Sequence, residues 1–330
     1  APEAVQPVLM LAAALQRESR DVEKLAALEE ALAIVQATLR SKQQPTPAVL
    51  TAHTQRTRHV DVVHAAHAGL LGISRTARAE EGLSVGTIDN GCTSEVATSA
   101  LGHLMSSSGS ELELAVRPTA KLVPRLARLT PGVRQSASTT DGASTHVITG
   151  GTGGLGLLTA RWLAQTGDAQ AVVLVSRGGV LASDMQSDVE QLQQSGAQWL
   201  GARGDVSHVA DGKQILSQVR QSELPKLRGL VHAAGVLADG MLTKQDGQML
   251  HRSFGAKVGG ASCMLDLLRT SELRRCVLFS SVTALLGGSG QANYSAANCV
   301  LDSIASGQRA HGAAGVSVQW GPWAEVGMAA

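Results

Sequence analysis

Apolar positions change their spacing along this chain. Leu25, Leu28, Leu32, Val35 and Leu39 recur at alternating steps of three and four, which lines side chains along one stripe of an α-helix. Glu23, Lys24, Glu29 and Glu30 fall on the other faces. The stripe predicts a helix over residues 2–41. It lasts for too few heptads to make a coiled coil, so packing on its own domain is expected, with an interchain contact or linker helix as the alternative. Pro45 and Pro47 end the helix, since proline removes a backbone donor and restricts the residue before it. From residue 48 to 128 the pattern weakens. Val49-Leu50-Thr51 and Leu112-Glu113-Leu114-Ala115-Val116 read as short strands, and residues 65–80 as a helix. Residues 135–145 are small and polar, a composition that predicts a linker between folded units.

Beyond the linker the alternation is regular. Strands are predicted at 146–149, 171–175, 198–202, 228–232, 275–280 and 316–320, with helices at 157–165, near 184–195 and between the later strands. Apolar strand runs separated by helices mark βαβ units and a parallel sheet. Right-handed crossovers then make an α/β fold with a doubly wound, Rossmann-like sheet. The chain divides into a helical segment at 1–45, a weaker α/β unit at 46–135 without a glycine-rich turn, and a regular α/β unit at 145–330.

Composition narrows the function. Charged residues make up 17% and the formal net charge is +1, so no strong field draws in nucleic acid or an anionic membrane. No apolar stretch reaches the ~18 residues of a membrane span. Cys92, Cys263, Cys276 and Cys299 form no CxxC pair, which disfavours zinc and redox motifs and suits a reducing, cytoplasmic setting. His59, His64 and His67 lack further ligands at metal spacing, so an ordinary helix surface is expected there and no metal. The missing Met at the start and the Ala329-Ala330 end suggest a piece of a longer chain. The 36 glycines exceed the usual ~7% and point to tight turns or close backbone approach.

Three constellations carry chemistry. Thr149-Gly150-Gly151-Thr152-Gly153-Gly154-Leu155-Gly156 follows an apolar strand and opens a helix. There the glycines let the backbone approach a pyrophosphate, and the helix start offers free N–H groups. About 20 positions on, sheets that bind NAD place an acid for the ribose 2′-hydroxyl. This chain has Val175-Ser176-Arg177, where a hydroxyl and a guanidinium suit a 2′-phosphate. NADPH is therefore the expected cofactor. Third, Ser281 ends an apolar strand, and Tyr294, the one tyrosine of the chain, stands at the head of a later helix. Ligands lie beyond the carboxyl ends of such strands, which allows the two to meet.

With Gly204-Asp205-Val206, His232-Ala233-Ala234-Gly235, Lys257, Leu278-Phe279-Ser280-Ser281, Tyr294 to Asn298 and Trp320-Gly321-Pro322-Trp323, residues 145–330 resemble a short-chain dehydrogenase/reductase. More narrowly, they resemble the ketoreductase domain of a modular type I polyketide synthase. In most of the superfamily a lysine lies four residues after the tyrosine. Here that position is Asn298, and the lysine is Lys257, an exchange that points to the polyketide ketoreductases. Gly69-Leu70-Leu71-Gly72-Ile73-Ser74-Arg75 and Leu122 to Leu126 resemble the truncated, noncatalytic structural subdomain of these enzymes.

The resemblance implies NADPH-dependent reduction of a β-ketoacyl thioester, carried on the phosphopantetheine arm of an acyl carrier protein, within a polypeptide of neighbouring synthase domains. It makes Tyr294 the proton donor with its pKa lowered by Lys257, Ser281 the hydrogen-bond donor to the carbonyl, and Asn298 a holder of geometry. Asp205 and Val206 would flank the adenine, Ala233, Ala234 and Gly235 the nicotinamide ribose, and Pro322 and Trp323 the carboxamide. Leu237-Ala238-Asp239 retains the last Asp of the family's Leu-Asp-Asp stretch. Leu286 stands where members of opposite stereochemistry carry Trp. Together these favour a D-configured alcohol. The alternatives are a fatty-acid synthase or stand-alone reductase, and a catalytically silent cofactor-binding scaffold.

Overall fold

The computed structural model of the protein describes residues 8–12, 25–42, 46–55, 57, 65–91, 111–128, 143–179 and 186–323. These residues form two sheets. The first contains β1 (Val8–Ala12), β2 (Thr46–Ala52), β3 (Gly86–Asn90), β4 (Glu113–Arg117) and β5 (Ala120–Leu122), in that order. Its first four strands run parallel and β5 folds back on β4. The second contains β6 (Thr145–Thr149), β7 (Ala171–Ser176), β8 (Gln198–Arg203), β9 (Leu227–His232), β10 (Arg275–Ser281) and β11 (Val316–Trp320). All its pairs are parallel, in the order β11-β10-β9-β6-β7-β8. The order reverses between β6 and β9, so a crevice opens beyond their carboxyl ends. The helices are α1 (Ala26–Arg40), α2 (Gly69–Glu81), α3 (Gly154–Gln165), α4 (Gln186–Gln194), α5 (Val209–Gln221), α6 (Gly247–Phe254), α7 (Gly260–Leu267), α8 (Thr283–Leu286) and α9 (Ala292–Ala310). No described helix is long and apolar enough to cross a membrane.

Strand positions in the second sheet follow from burial on both faces. Val147, Val173 and Leu230 pack with Ile215, Met264 and Leu301 on one side. Ile148, Leu174 and Val231 pack with Leu157 and Leu163 on the other. Successive strand residues point to opposite faces, so a sheet covered twice needs unbroken apolar runs rather than alternation.

The helix expected over 2–41 is corrected at its start. Val8–Ala12 is a strand, in register with β2 from Val8 opposite Thr46 to Ala12 opposite Leu50. Val8-Leu9-Met10-Leu11-Ala12 has no polar position and hence no helical stripe, so pairing with β2 decides its conformation. The stripe itself lies on α1, where Leu28, Leu32 and Val35 are buried. They share a core with Leu70 and Ile73 of α2, Leu250 and Phe254 of α6, and Ala296 and Val300 of α9. Segment 1–45 is therefore not a unit apart: α1 helps seal the joint between the two sheets. Residues 135–142 of the expected linker, and His59, His64 and Cys92, lie outside the described residues. Across the joint α2 and α9 touch backbone to backbone. A Cβ on Gly72 would lie 2.4 Å from the Ala296 nitrogen, so this crossing admits only glycine.

Candidate functional site

The crevice starts at the turn after β6. Gly150 has φ of +68°, a conformation that glycine adopts without strain. A Cβ there would lie 2.9 Å from the Ala234 nitrogen, and one on Gly156 would lie 2.2 Å from the Gly150 oxygen. The turn is thus drawn against the segment after β9, and α3 begins behind it with Gly153 as its cap and no side chain closing the end. The first N–H groups of α3 have no intrahelical acceptor.

A cleft of about 680 Å³ lies in front of this turn. It is lined by Gly150, Thr152, Gly153, Gly154, Leu155 and Gly156, by Ser176 and Arg177 at the end of β7, by Asp205 and Val206 after β8, and by Ala233, Ala234 and Gly235 after β9. Arg177 is exposed there. The Asp205 carboxylate shapes its own turn, accepting from the Ser207 N–H at 3.0 Å and hydroxyl at 2.7 Å. Pro322 and Trp323 do not line the cleft. The Trp323 ring rests on Trp320, 5.1 Å between centroids, and Trp320 on Phe279. That aromatic stack holds Trp323 beyond β11. Sequence reasoning passed over Arg252, Gly255 and Ala256, which line the cleft from the segment leading to Lys257.

The second cluster gathers from three elements. Ser281 closes β10, Tyr294 lies in the first turn of α9, and Asn298 follows one turn later. Lys257 sits in a π-helical turn, Gly255–Gly259, between α6 and α7. Such turns are rare and recur at functional sites. Lys257 is 2% exposed. Its Nζ donates to the Phe279 carbonyl at 2.9 Å and lies 4.8 Å from the centre of the Tyr294 ring. Asn298 donates to the Tyr294 carbonyl at 2.9 Å. The Asn298 and Ser281 side chains lie near enough to the Tyr294 hydroxyl to act on its acidity.

Charge behaviour corrects one expectation. Burial holds the Tyr294 phenol above its ordinary value, with the Asp239 charge adding to the rise, and the nearby Asn298 and Ser281 side chains recover only part of it. The Lys257 amine lies over the ring and donates to the Phe279 carbonyl. Burial lowers the Lys257 amine to about 7, against an opposing pull from Asp302.

His232 ties the two clusters together, and sequence reasoning assigned it no role. Its Nε2 bonds the Lys257 carbonyl at 2.9 Å and its Nδ1 the Thr149 hydroxyl at 2.7 Å. A carbonyl only accepts, so Nε2 carries the proton and Nδ1 accepts from Thr149. The signal available in the sequence was a histidine ending an otherwise apolar strand. Burial lowers its pKa to about 3, and burial lowers that of His146 to about 4. Both stay neutral in the folded chain, whereas the unfolded chain protonates them below pH ~6.5. Stability is therefore lost as pH falls from ~6.5, at about 1.4 kcal/mol per pH unit for each histidine. Urea denaturation at pH 7 and pH 5 should show this drop, and a shallower one in His146→Gln. Equal slopes in both proteins would refute it.

On the open side, Leu237 is half-buried and Asp239 exposed in the segment after β9. Asp239 accepts from the Gln291 amide at 3.0 Å. Leu286, at the end of α8, is 62% exposed. These three lie outside the cleft lined by the glycine turn.

Known proteins match both halves. The model of the KR domain family matches residues 144–325, and that of the Rossmann fold domain of polyketide synthase extender module SpnB matches residues 1–126. Polyketide synthase GfsB of Streptomyces halstedii is 40% identical over 222 residues, covering 67% of this chain and 4% of the relative. Pikromycin polyketide synthase component PikAIII of Streptomyces venezuelae is 37% identical over 232 residues, covering 69% of this chain and 15% of that protein. The chain thus spans a small part of its curated relatives. Among solved structures, an A-type ketoreductase from a modular polyketide synthase is 31% identical with a TM-score of 0.82, covering 92% of this chain and 64% of that one. The first ketoreductase of the tylosin PKS is 29% identical with a TM-score of 0.81, covering 98% of this chain and 69% of that one.

Proposed function

Since this chain belongs to the KR domain family of modular polyketide synthases, we propose that it reduces a β-ketoacyl thioester to the β-hydroxyacyl thioester with NADPH. The observation that carries this reading is the convergence of Lys257, Tyr294, Ser281 and Asn298 beside a glycine turn whose space a Cβ would fill. The donor set fits a dinucleotide phosphate. Gly150, Gly153 and Gly156 leave room for a pyrophosphate at the start of α3. Ser176 and Arg177, with no carboxylate at the end of β7, suit a 2′-phosphate.

When bound, the nicotinamide supplies hydride to the ketone carbon. The chain's own residues manage the oxygen. Ser281 donates a hydrogen bond to the carbonyl, and Tyr294 gives its proton as negative charge builds there. A phenol held high by burial is protonated at neutral pH, as a donor must be. Protonated Lys257, under the ring face, stabilises the phenolate that remains. Asn298 fixes the first turn of α9. Asp239 and Leu286 face the open side, and the retained Asp239 supports a D-configured alcohol. The thioester is taken to arrive on the phosphopantetheine arm of an acyl carrier protein, among neighbouring synthase domains in the cytoplasm.

The test is NADPH oxidation with a β-ketoacyl N-acetylcysteamine thioester, with chiral chromatography of the alcohol. A chain that binds NADPH and turns over no thioester would sink the reading in favour of a scaffold. In the same assay Arg177→Asp raises the Kd for NADPH about ten- to a hundredfold, the loss of a charge-assisted contact. NADH binding barely changes. Equal losses for both cofactors would remove Arg177 from phosphate recognition.

A further inference from the structure

Glu80 is among the groups by which the half of the molecule without a glycine turn reaches the open side of the other half, beside Gln36, which bonds the Leu242 carbonyl, and Thr76, which accepts from the Gly288 N–H. Glu80 lies at the end of α2. Its Oε1 accepts from the Leu242 N–H at 2.6 Å, and its Oε2 accepts from the Gly290 N–H at 2.7 Å. The two amides belong to different loops. One runs from β9 through Leu237 and Asp239 to Leu242. The other runs from Leu286 to the start of α9, and its Gly290 is four residues before Tyr294. The loops also bond each other, Gly240 N–H to the Gly290 carbonyl at 2.9 Å and Gln291 to Asp239 at 3.0 Å.

The two halves are held together without Glu80 as well, by Gly72 against α9, by the shared apolar core, and by Gln36 and Arg75 bonding the Leu242 and Ala284 carbonyls. A carboxylate that gives one oxygen to each of two amides fixes the distance between them, and charge-assisted bonds are the strong ones.

We propose that Glu80 is a positioning residue. By holding the Leu242 and Gly290 amides it sets the separation of the two loops over Tyr294, and so the face on which the β-keto group is presented. This rests on the reductase reading above. Glutamine in its place has one oxygen, so it can accept from only one amide and turns an NH₂ toward the other.

The experiment compares the full chain with Glu80→Gln and with Glu81→Gln, an exposed neighbour. Amide hydrogen exchange is followed at Leu242 and Gly290, and the enantiomer ratio of the alcohol is measured with the N-acetylcysteamine thioester. In Glu80→Gln the amide that loses its acceptor exchanges about ten- to a hundredfold faster, KM rises and the minor enantiomer gains share. NADPH binding stays at its wild-type value, the thermal midpoint falls by only a few degrees, and Glu81→Gln changes nothing. Unchanged exchange at both amides overturns the proposal. So does faster exchange with an unchanged enantiomer ratio, or NADPH binding lost in step with everything else. Failure of the wild-type chain to make any alcohol would count against the reductase reading, while the exchange data alone would still decide whether Glu80 holds the loops.

Discussion

Tyr294→Phe lowers the rate of thioester reduction by about 10²- to 10⁴-fold, the usual contribution of a positioned general acid, and leaves NADPH affinity at its wild-type value. The substitution removes one oxygen and keeps the ring over which Lys257 lies at 4.8 Å. Asn298 still donates to the backbone carbonyl of residue 294, because that bond does not involve the side chain. The cleft is lined by other residues, so the cofactor side is untouched. Steady-state NADPH oxidation and a fluorescence titration of NADPH separate the two effects. A variant that keeps more than a tenth of the rate would remove the phenol from the proton-donor role, and Ser281 would be the next candidate.

Asp89→Ala destabilises the chain by about 3–5 kcal/mol, the cost of stranding a buried charge. Asp89 is fully buried in β3. Its Oδ1 accepts from the Thr51 hydroxyl at 2.8 Å and from the Thr54 N–H and hydroxyl at 2.8 and 2.7 Å. Its Oδ2 accepts from Arg117 at 2.8 Å and from the Gln55 N–H at 3.2 Å. Arg117 is also buried and donates to the Gln55 carbonyl at 2.6 Å. These groups come from the carboxyl ends of β2, β3 and β4. The urea midpoint of Asp89→Ala checks the size of the effect. The double variant Asp89→Leu with Arg117→Met should recover most of the loss, since no charge is then left unpaired. A single variant with an unchanged midpoint would show that the network is dispensable.

What was legible follows from how far apart the deciding residues lie in the chain. The strands of the second sheet were readable because neighbours such as Val147 and Ile148, or Val173 and Leu174, each fill one of its two cores. The glycine turn was readable because Gly150 and Gly156 constrain each other within a few residues. Val8–Ala12 was misread because its conformation is set by its pairing partner, Thr46 to Leu50. Lys257 could be placed in the site only through a family resemblance. What delivers it is a π-helical turn with its carbonyl bonded by His232.

By itself, then, the sequence determined the regular βαβ half and its glycine turn, because local backbone freedom and burial pattern suffice for each. Only the tertiary structure decided that the Lys257 amine lies over the tyrosine ring, and that Trp323 stacks on Trp320. It also decided that Glu80 joins two loops of the other half. Those outcomes depend on groups far apart in the chain, which meet only when the two sheets pack across α1, α2 and α9.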